Sequence, residues 1–332
     1  MFFVQIMLIS VFLCIFALLT KNHPVVFFVN MNAFDMPRLK YHIIAFLVVV
    51  VWGSTFVSTK ILLMAGLSPA QIFILRFVIA YLLLLPFSIK RQTRWFAANV
   101  RDELMMVALG ITGGSLYFLT ENAAMNYTTT TNTSLIVCLC PLFATLLIAC
   151  FYRSERLSRL RMFGTILAAA GVVIVVLNGH FVLHLSPLGD TLAFTACLCW
   201  AVYSLLMIPA SSRYSSLFIT RKLFAYGLIT MIPYFMVYPE MPSVSVFTDV
   251  KVLVNIFYLG CIASTLCFLL WNWVIPRLGA VVTTNYVYFN PVVTIICAWL
   301  ILSETITMWL LLGTAMILSG MYLADRKRKN QT

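Results

Sequence analysis

Three ionisable residues, Lys60, Arg76 and Glu121, lie inside long apolar stretches of this 332-residue chain. An ionisable side chain in an apolar medium costs several kcal/mol of free energy, so each of the three is a candidate functional residue. Glu121 could receive a substrate amine or a proton, and Lys60 or Arg76 could hold a carboxylate through charge-assisted hydrogen bonds. The alternative is structural: a cation neutralises Glu121 and ties helices together, or its long side chain extends to a polar boundary.

Neutral polar and aromatic side chains in the same stretches could complete a binding pocket. Aromatic rings can hold an organic cation or an apolar group, and amide or hydroxyl groups can hydrogen-bond a ligand. The alternative for any single ring is packing, or a position at a membrane interface. We add six such residues to the three ionisable ones as the predicted substrate-binding set: Trp52, Tyr117, Asn122, Trp200, Asn272 and Tyr286.

No pattern in the sequence points to catalysis, a cofactor or a metal. The nine cysteines fall in apolar stretches, and the two pairs spaced two residues apart would point to different faces of a helix. His180 and His184 have helical spacing but lack the glutamate of a zinc-protease motif. Phosphate-binding and nucleophile-elbow motifs are missing from the sequence. We therefore expect a protein that is not an enzyme, without cofactor, metal or disulfide.

The elements that must position these residues are membrane-spanning helices. Of all residues, 62% are apolar and 10% charged, against about a quarter charged in soluble domains. A hydrocarbon core of about 30 Å needs roughly 20 apolar residues per helix. The continuous apolar runs exclude the short alternation of a β-barrel. The sequence predicts an all-α polytopic membrane protein with spans at 41–64, 69–89, 103–124, 128–151, 160–178, 188–208, 216–237, 252–275, 280–302 and 307–324.

Residues 1–36 form a hydrophobic extension that precedes these ten spans. A secretory signal would have a basic first region and a small-residue cleavage site, and neither is visible. Two interpretations stay open. The extension is an additional helix, or it lies upstream of the true start, which would then be Met36.

Basic residues give the predicted spans an orientation. Most of the 22 Lys and Arg residues fall in alternate loops, and the other loops hold Lys251 beside acidic residues. This asymmetry follows the positive-inside rule, with both ends of the ten-span core in the cytoplasm and a basic tail at 325–332. Basic residues in these loops account for the net charge of +12. We therefore expect a lipid bilayer as partner and no nucleic acid.

The second half of the chain repeats the first. At an offset of 150 residues, identical pairs include Gly110 with Gly260, Asn122 with Asn272 and Pro141 with Pro291; Trp52 matches Trp200 at an offset of 148. Two repeats follow, at 41–178 and 188–324. Five spans in each repeat is an odd number, so the repeats must cross the membrane in opposite senses. Inverted repeats around a midplane site are typical of secondary transporters.

Repeated prolines and glycines suggest hinges and close packing. Pro141 and Pro291 fall in the middle of predicted spans, where a proline would kink the helix and free carbonyl groups. Gly164 with Gly171, and Gly313 with Gly320, are spaced seven apart, so each pair lies on one helix face and permits close helix contact. That contact could lie within the chain or between the protomers of a homodimer.

Several short motifs resemble the drug/metabolite transporter superfamily, in the branch built from two EamA-type domains. They are Trp52-Gly-Ser-Thr-Phe-Val-Ser-Thr-Lys60, Leu75-Arg76-Phe77, Ser154-Glu155-Arg156-Leu157, Leu270-Trp271-Asn272-Trp273, Arg277-Leu278-Gly279-Ala280, Asn290-Pro291-Val292-Val293 and Ser303-Glu304. The resemblance covers about residues 41 to 324. It implies a ten-helix carrier of a bacterial-type inner membrane, often an exporter of amino acids, related metabolites or drugs.

From these observations we expect a secondary-active transporter that moves a small molecule by alternating access. Uptake is an alternative to export. A membrane receptor or scaffold that uses the same frame without transport is the alternative from another functional class.

Overall fold

The computed structural model describes residues 39–128, 133, 136–152, 158–177, 186–239, 241–293 and 308–325. Within these ranges the chain is helical and contains no strand, which confirms the all-α prediction. The N-terminal extension, His180, His184 and the last seven residues of the basic tail lie outside the described residues.

The first half of the chain contributes five helices. They are α1 (Leu39–Met64), α2 (Pro69–Lys90), α3 (Val100–Tyr127), α4 (Cys140–Phe151) and α5 (Arg159–Leu177). Local sequence sets where they begin: Ser68 and Gln71 form a capping box at the start of α2, and the Asn99 side chain caps α3. Each cap satisfies backbone N–H groups that have no partner inside the helix.

The second half contributes six more helices. They are α6 (Pro187–Arg213), α7 (Ser216–Thr230), the short α8 (Ile232–Val237), α9 (Val250–Leu278), α10 (Ala280–Asn285) and α11 (Met308–Asp325). Short 3₁₀ segments occur at Val244–Thr248 and at Tyr286–Phe289. Serine side chains cap α6 and α7, at Ser186 and Ser215.

Five helices in the described part of the chain are long and apolar enough to cross a membrane: α1, α2, α3, α6 and α9. Shorter apolar helices occur at Cys140–Phe151 and Leu311–Ala324. These five agree with the predicted spans 41–64, 69–89, 103–124, 188–208 and 252–275. The count of ten spans stays a prediction.

Helices α3 and α9 carry π-helical turns at matching places. One runs over Ile111–Ser115 and the other over Tyr258–Leu266, so the first corresponds to residues 261–265 of the second at the offset of 150. Gly114 departs from helical geometry within its turn, with φ −125° and ψ −105°. Since π-turns inside α-helices often mark functional sites, this repeated distortion draws attention to the residues beside it.

Both repeated prolines follow an interruption of their helix. Pro141 lies in the first turn of α4, directly after a turn at residues 138–139. Pro291 comes after the 3₁₀ segment Tyr286–Phe289. Each interruption lies where a proline removes the hydrogen bond to the carbonyl four residues earlier, which agrees with the expected kink. The Val287 carbonyl, four residues before Pro291, accepts from the Cys138 thiol at 3.7 Å instead.

The repeated glycines bring α5 and α11 into backbone contact. A Cβ atom built on Gly164 would lie 2.5 Å from the Gly320 carbonyl oxygen, and one built on Gly171 would lie 2.7 Å from that of Gly313. The two contacts are related by the internal repeat. These glycines therefore pack within one chain rather than between two copies, and a homodimer stays a prediction.

Candidate substrate-binding cavity

A narrow cavity of about 30 Å³, partly open to its surroundings, lies among the central helices. Five predicted site residues line it: Trp52, Arg76, Tyr117, Glu121 and Trp200. The predicted substrate-binding set did not include the other eight lining residues, which are Thr55, Phe56, Phe118, Val137, Cys140, Phe268, Val287 and Asn290.

Much of the cavity wall is built from positions related by the repeat. The related pairs are Trp52 with Trp200, Phe118 with Phe268, Val137 with Val287, and Cys140 with Asn290. Three of these pairs are identical in sequence, so repeat identity was the signal that could have found the phenylalanines and valines. The charged residues break the symmetry, since Arg76 and Glu121 both come from the first half and Trp271 stands at the position that matches Glu121.

Glu121 is held on the cavity wall by its own helix. Its Oε1 atom accepts a hydrogen bond of 2.8 Å from the hydroxyl of Tyr117, one turn earlier on α3. The Tyr117 ring in turn packs against Trp200, with ring centroids 5.2 Å apart. Glu121 is only 8% exposed, and no ion pair to it occurs within the described part of the chain.

Arg76 enters the same cavity from α2. Its Nε donates a hydrogen bond of 2.9 Å to the Ser264 hydroxyl on α9, and its guanidinium lies 4.2 Å from the ring centroid of Phe118. The side chain is 2% exposed. Among the residues described, no carboxylate forms an ion pair with it, and its two Nη groups donate to no protein acceptor. Its electrostatic compensation comes from Glu121, at a distance and without a salt bridge.

Tryptophans form the centre of the wall. Trp52 and Trp200 meet edge to face, with ring centroids 5.4 Å apart, and Trp52 also contacts Trp271 at 4.9 Å. The indole N–H of Trp52 donates to the Ala263 carbonyl at 3.0 Å. That of Trp200 is buried without a partner. The wall is thus aromatic, with few polar groups, as in most small-molecule sites.

Four predicted site residues do not line the cavity. Lys60 donates to the Met125 carbonyl at 3.2 Å, and Asn122 donates to the Pro69 carbonyl at 3.4 Å. The Tyr286 hydroxyl lies 2.7 Å from Nδ1 of His42.

Asn272, the fourth of these, bridges three helices. Its Oδ1 accepts from the Tyr203 hydroxyl on α6, and its Nδ2 donates to the Thr220 hydroxyl on α7 at 2.9 Å. All three residues are fully buried, so Asn272 is a packing residue in this conformation.

At the basic end of the bundle, polar contacts join the two halves of the chain. Asp102 accepts from Arg213 at 2.6 Å and from the Tyr214 hydroxyl at 2.7 Å. Next to it, Glu103 pairs with the buried Lys222 on α7. These contacts tie the start of α3 to α6 and α7.

The cavity is chemically suited to binding a charged ligand. It presents a carboxylate and a guanidinium that attract each other but form no ion pair, set among aromatic rings. No group of three or more metal-ligating side chains occurs in the described part of the chain. The arrangement can hold an ammonium group at one side and a carboxylate at the other.

A model of a known family matches the chain along both halves. The family is described as the EamA-like transporter family, and the match covers residues 39–177 and 187–324. This confirms the resemblance found in the sequence motifs.

Known proteins resemble the chain over most of its length. An uncharacterized transporter from Archaeoglobus fulgidus is 27% identical over 293 residues, covering 87% of this chain and all of that protein. A probable terminal-alkyne amino-acid exporter from Streptantibioticus cattleyicolor is 25% identical, covering 85% and 92% respectively. A probable amino-acid metabolite efflux pump from Escherichia coli (strain K12) is 25% identical, covering 85% and 93%.

A solved crystal structure also aligns with this chain. The TM-score is 0.70 at 17% identity, and the alignment covers 86% of this chain and 97% of the other. At this identity the similarity shows a shared fold.

Proposed function

The chain belongs to the EamA-like transporter family, and from that premise we propose that it is a secondary-active exporter of amino acids or closely related metabolites. The substrate binds in the central cavity, with its ammonium group at Glu121 and its carboxylate at Arg76. The observation that carries this proposal is the pair of buried, opposite charges on one cavity wall with no ion pair between them.

Charge balance supports a zwitterionic substrate. An amino acid brings one positive and one negative group, so it compensates Arg76 and Glu121 at the same time and leaves the site neutral. A simple cation or a simple anion would leave one buried charge uncompensated, at a cost of several kcal/mol. The desolvation cost of Arg76 and Glu121 is already part of the folding free energy. A bound zwitterion therefore stabilises both charges without a second desolvation of these side chains.

The aromatic wall supports a substrate with an apolar or aromatic side chain. Trp52, Trp200, Phe118 and Phe268 surround the charged pair. Apolar surface buried against them stabilises the complex by about 25 cal/mol per Å². L-phenylalanine is accordingly a suitable first probe.

The direction of transport rests on relatives. Two of them carry names that say exporter or efflux pump for amino acids or their metabolites. We extend that direction to this chain, with uptake as the alternative.

The transport cycle that we propose uses the internal repeat. Residues 41–178 and 188–324 form two inverted five-helix repeats of a ten-span carrier in the inner membrane, with both ends of the core in the cytoplasm. Each repeat closes one side of the central cavity in turn, as in other inverted-repeat transporters. The symmetric cavity wall supports this view. Sequence motifs for nucleotide binding are missing, so an ion or substrate gradient drives the cycle.

Growth of expressing cells on toxic amino-acid analogues tests the function. Cells that produce the wild-type chain should survive higher concentrations of an aromatic analogue than cells with an empty vector. The Glu121→Gln variant should lose this resistance, because the amide no longer attracts an ammonium group. Increased sensitivity of the wild-type cells would instead indicate uptake.

The matched control is Asp249→Asn, which also changes an acid to its amide. Asp249 is an exposed cap at the start of α9, and asparagine caps a helix as well as aspartate does. This variant should keep full resistance. Equal behaviour of wild type, Glu121→Gln and empty vector across the analogue panel would contradict the proposal and favour a receptor or scaffold.

A further inference from the structure

Arg76 is held in place by a hydroxyl from the other half of the chain. The 2.9 Å hydrogen bond from its Nε to Ser264 joins α2 to the π-helical turn of α9. Ser264 is fully buried and Arg76 is 2% exposed, so water does not compete for this bond. The hydroxyl does not itself line the cavity.

This bond decides which edge of the guanidinium can meet a ligand. A guanidinium can bind a carboxylate with two parallel hydrogen bonds, either through Nε and one Nη or through both Nη groups. Ser264 occupies Nε, and Phe118 packs against the guanidinium with its ring centroid 4.2 Å from Cζ. The two Nη groups, which donate to no described protein acceptor, form the edge that remains.

The same hydroxyl is missing from the related position of the first half. At the offset of 150, Ser264 corresponds to Gly114, which lies in the π-helical turn of α3 and has no side chain. Arg76 has no basic counterpart either. The capping serines Ser68 and Ser215 relate α2 to α7 at an offset of 147, and Leu223 stands at the position that matches Arg76. The arginine and the serine therefore occur together between α2 and α9, and both are replaced between the repeat-related helices α7 and α3.

We propose that Ser264 is a positioning residue that orients Arg76 so that both Nη groups bind the carboxylate of the substrate end-on. This inference rests on the proposed function. It adds an explanation of how the site selects a substrate that carries a carboxylate. Ser264 acts through Arg76 and touches no substrate atom.

The test compares L-phenylalanine with L-phenylalaninamide, which lacks the carboxylate charge, in proteoliposomes that contain the full chain. Ser264→Ala should raise KM for phenylalanine roughly tenfold, because a hydrogen bond to a charged group is lost. The maximal rate should stay near that of the wild type. The wild type should transport the amide more slowly, because a simple cation leaves Arg76 uncompensated. Ser264→Ala should change this slower transport less than twofold, since the amide has no carboxylate for the two Nη groups to bind.

Two further variants separate positioning from packing. Ser264→Cys keeps a side chain of similar size but offers a weak acceptor, so it should raise KM as Ser264→Ala does. Ser115→Ala removes a buried hydroxyl from the related turn of α3, where Ser115 contacts Thr230 instead. This control should keep the wild-type KM and the wild-type preference for phenylalanine over its amide.

Failure of this inference is distinguishable from failure of the proposed function. If the wild type transports phenylalanine and Ser264→Ala keeps its ratio of phenylalanine to amide transport, the positioning role is wrong and the proposed function stands. If KM rises equally for both compounds, Ser264 is only a packing residue. If the wild type transports no amino acid, the proposed function and this inference both fall.

Discussion

Arg76 is a buried charge for which the protein supplies one neutral hydrogen-bond acceptor, one aromatic face and the attraction of Glu121 without an ion pair. Such an arrangement costs folding free energy that a bound anion can recover. Functional sites commonly carry this kind of destabilisation, and substitutions that relieve it trade activity for stability. Stability and transport should therefore respond in opposite directions when this residue is changed.

Replacing Arg76 with methionine should abolish amino-acid transport and raise the melting temperature of the empty protein in detergent by a few degrees. An apolar side chain of similar length removes the desolvation cost of the charge, which is larger than its attraction to Glu121. Thermal unfolding followed by tryptophan fluorescence measures the change. A clear decrease in Tm would show that Arg76 serves the fold rather than the ligand.

Lys60 should behave differently, although the sequence made it an equal candidate. It contacts the Met125 carbonyl and does not line the cavity. We expect Lys60→Met to leave KM for phenylalanine within about twofold of the wild type, because removal of a surface or boundary charge has a small effect. A rise in KM as large as that caused by a change at Arg76 would return Lys60 to the site.

Helices α3 and α9 are related by the repeat, but the hydrogen bonds that join them to neighbouring helices differ in number and length. Asn272 on α9 joins the buried hydroxyls of Tyr203 and Thr220. Its counterpart on α3, Asn122, makes one bond of 3.4 Å and leaves its Oδ1 without a partner. The bundle is therefore tied more firmly around α9 in this conformation.

Asn272→Ala should accordingly destabilise the protein more than Asn122→Ala does. The first change leaves the buried hydroxyl of Tyr203 without its acceptor, at about 1–3 kcal/mol, while Thr220 keeps its bond to the Ser216 carbonyl. The second change disturbs one weak contact. Comparing the two variants in thermal unfolding uses each as the control for the other. Equal losses of stability would contradict the contacts described for α9.

The contact of α5 with α11 leaves no room for a side chain. Gly164→Ala would place a methyl group against the backbone of Gly320 and Ala324, and backbone cannot turn aside as a flexible side chain can. We expect a loss of about 1–3 kcal/mol, seen as a lower Tm. Leu318→Ala, on an exposed part of α11, should change Tm little. A tolerated Gly164→Ala would mean that the two helices are farther apart.

Considered as a whole molecule, the chain has a symmetric frame and an asymmetric site. The repeat explains the paired residues of the cavity wall and the matching π-helical turns. The paired wall residues could be anticipated in part, because repeated identities in the sequence include Phe118 with Phe268 and Val137 with Val287. The distorted turns have no such signal, since hydropathy does not report a change in hydrogen-bond register.

The sequence predicts which polar residues lie within apolar helices, but not the direction in which their side chains point. Glu121 and Asn122 are neighbours on α3, yet only Glu121 lines the cavity, because successive residues on a helix point about 100° apart. Asn272 is turned away from the cavity in the same manner as Asn122. Helix rotation is set by packing against neighbouring helices, and apolar runs that are hydrophobic all round carry little information about it.

The central claim is that Arg76 and Glu121 together hold a zwitterionic amino acid during transport. Counterflow of labelled L-phenylalanine in proteoliposomes tests it most directly, with wild type, Glu121→Gln, Arg76→Met and the control Asp249→Asn measured side by side. We predict exchange by the wild type and the control, and at least a tenfold loss in each of the two cavity variants. Exchange at the wild-type rate in both cavity variants would contradict the claim.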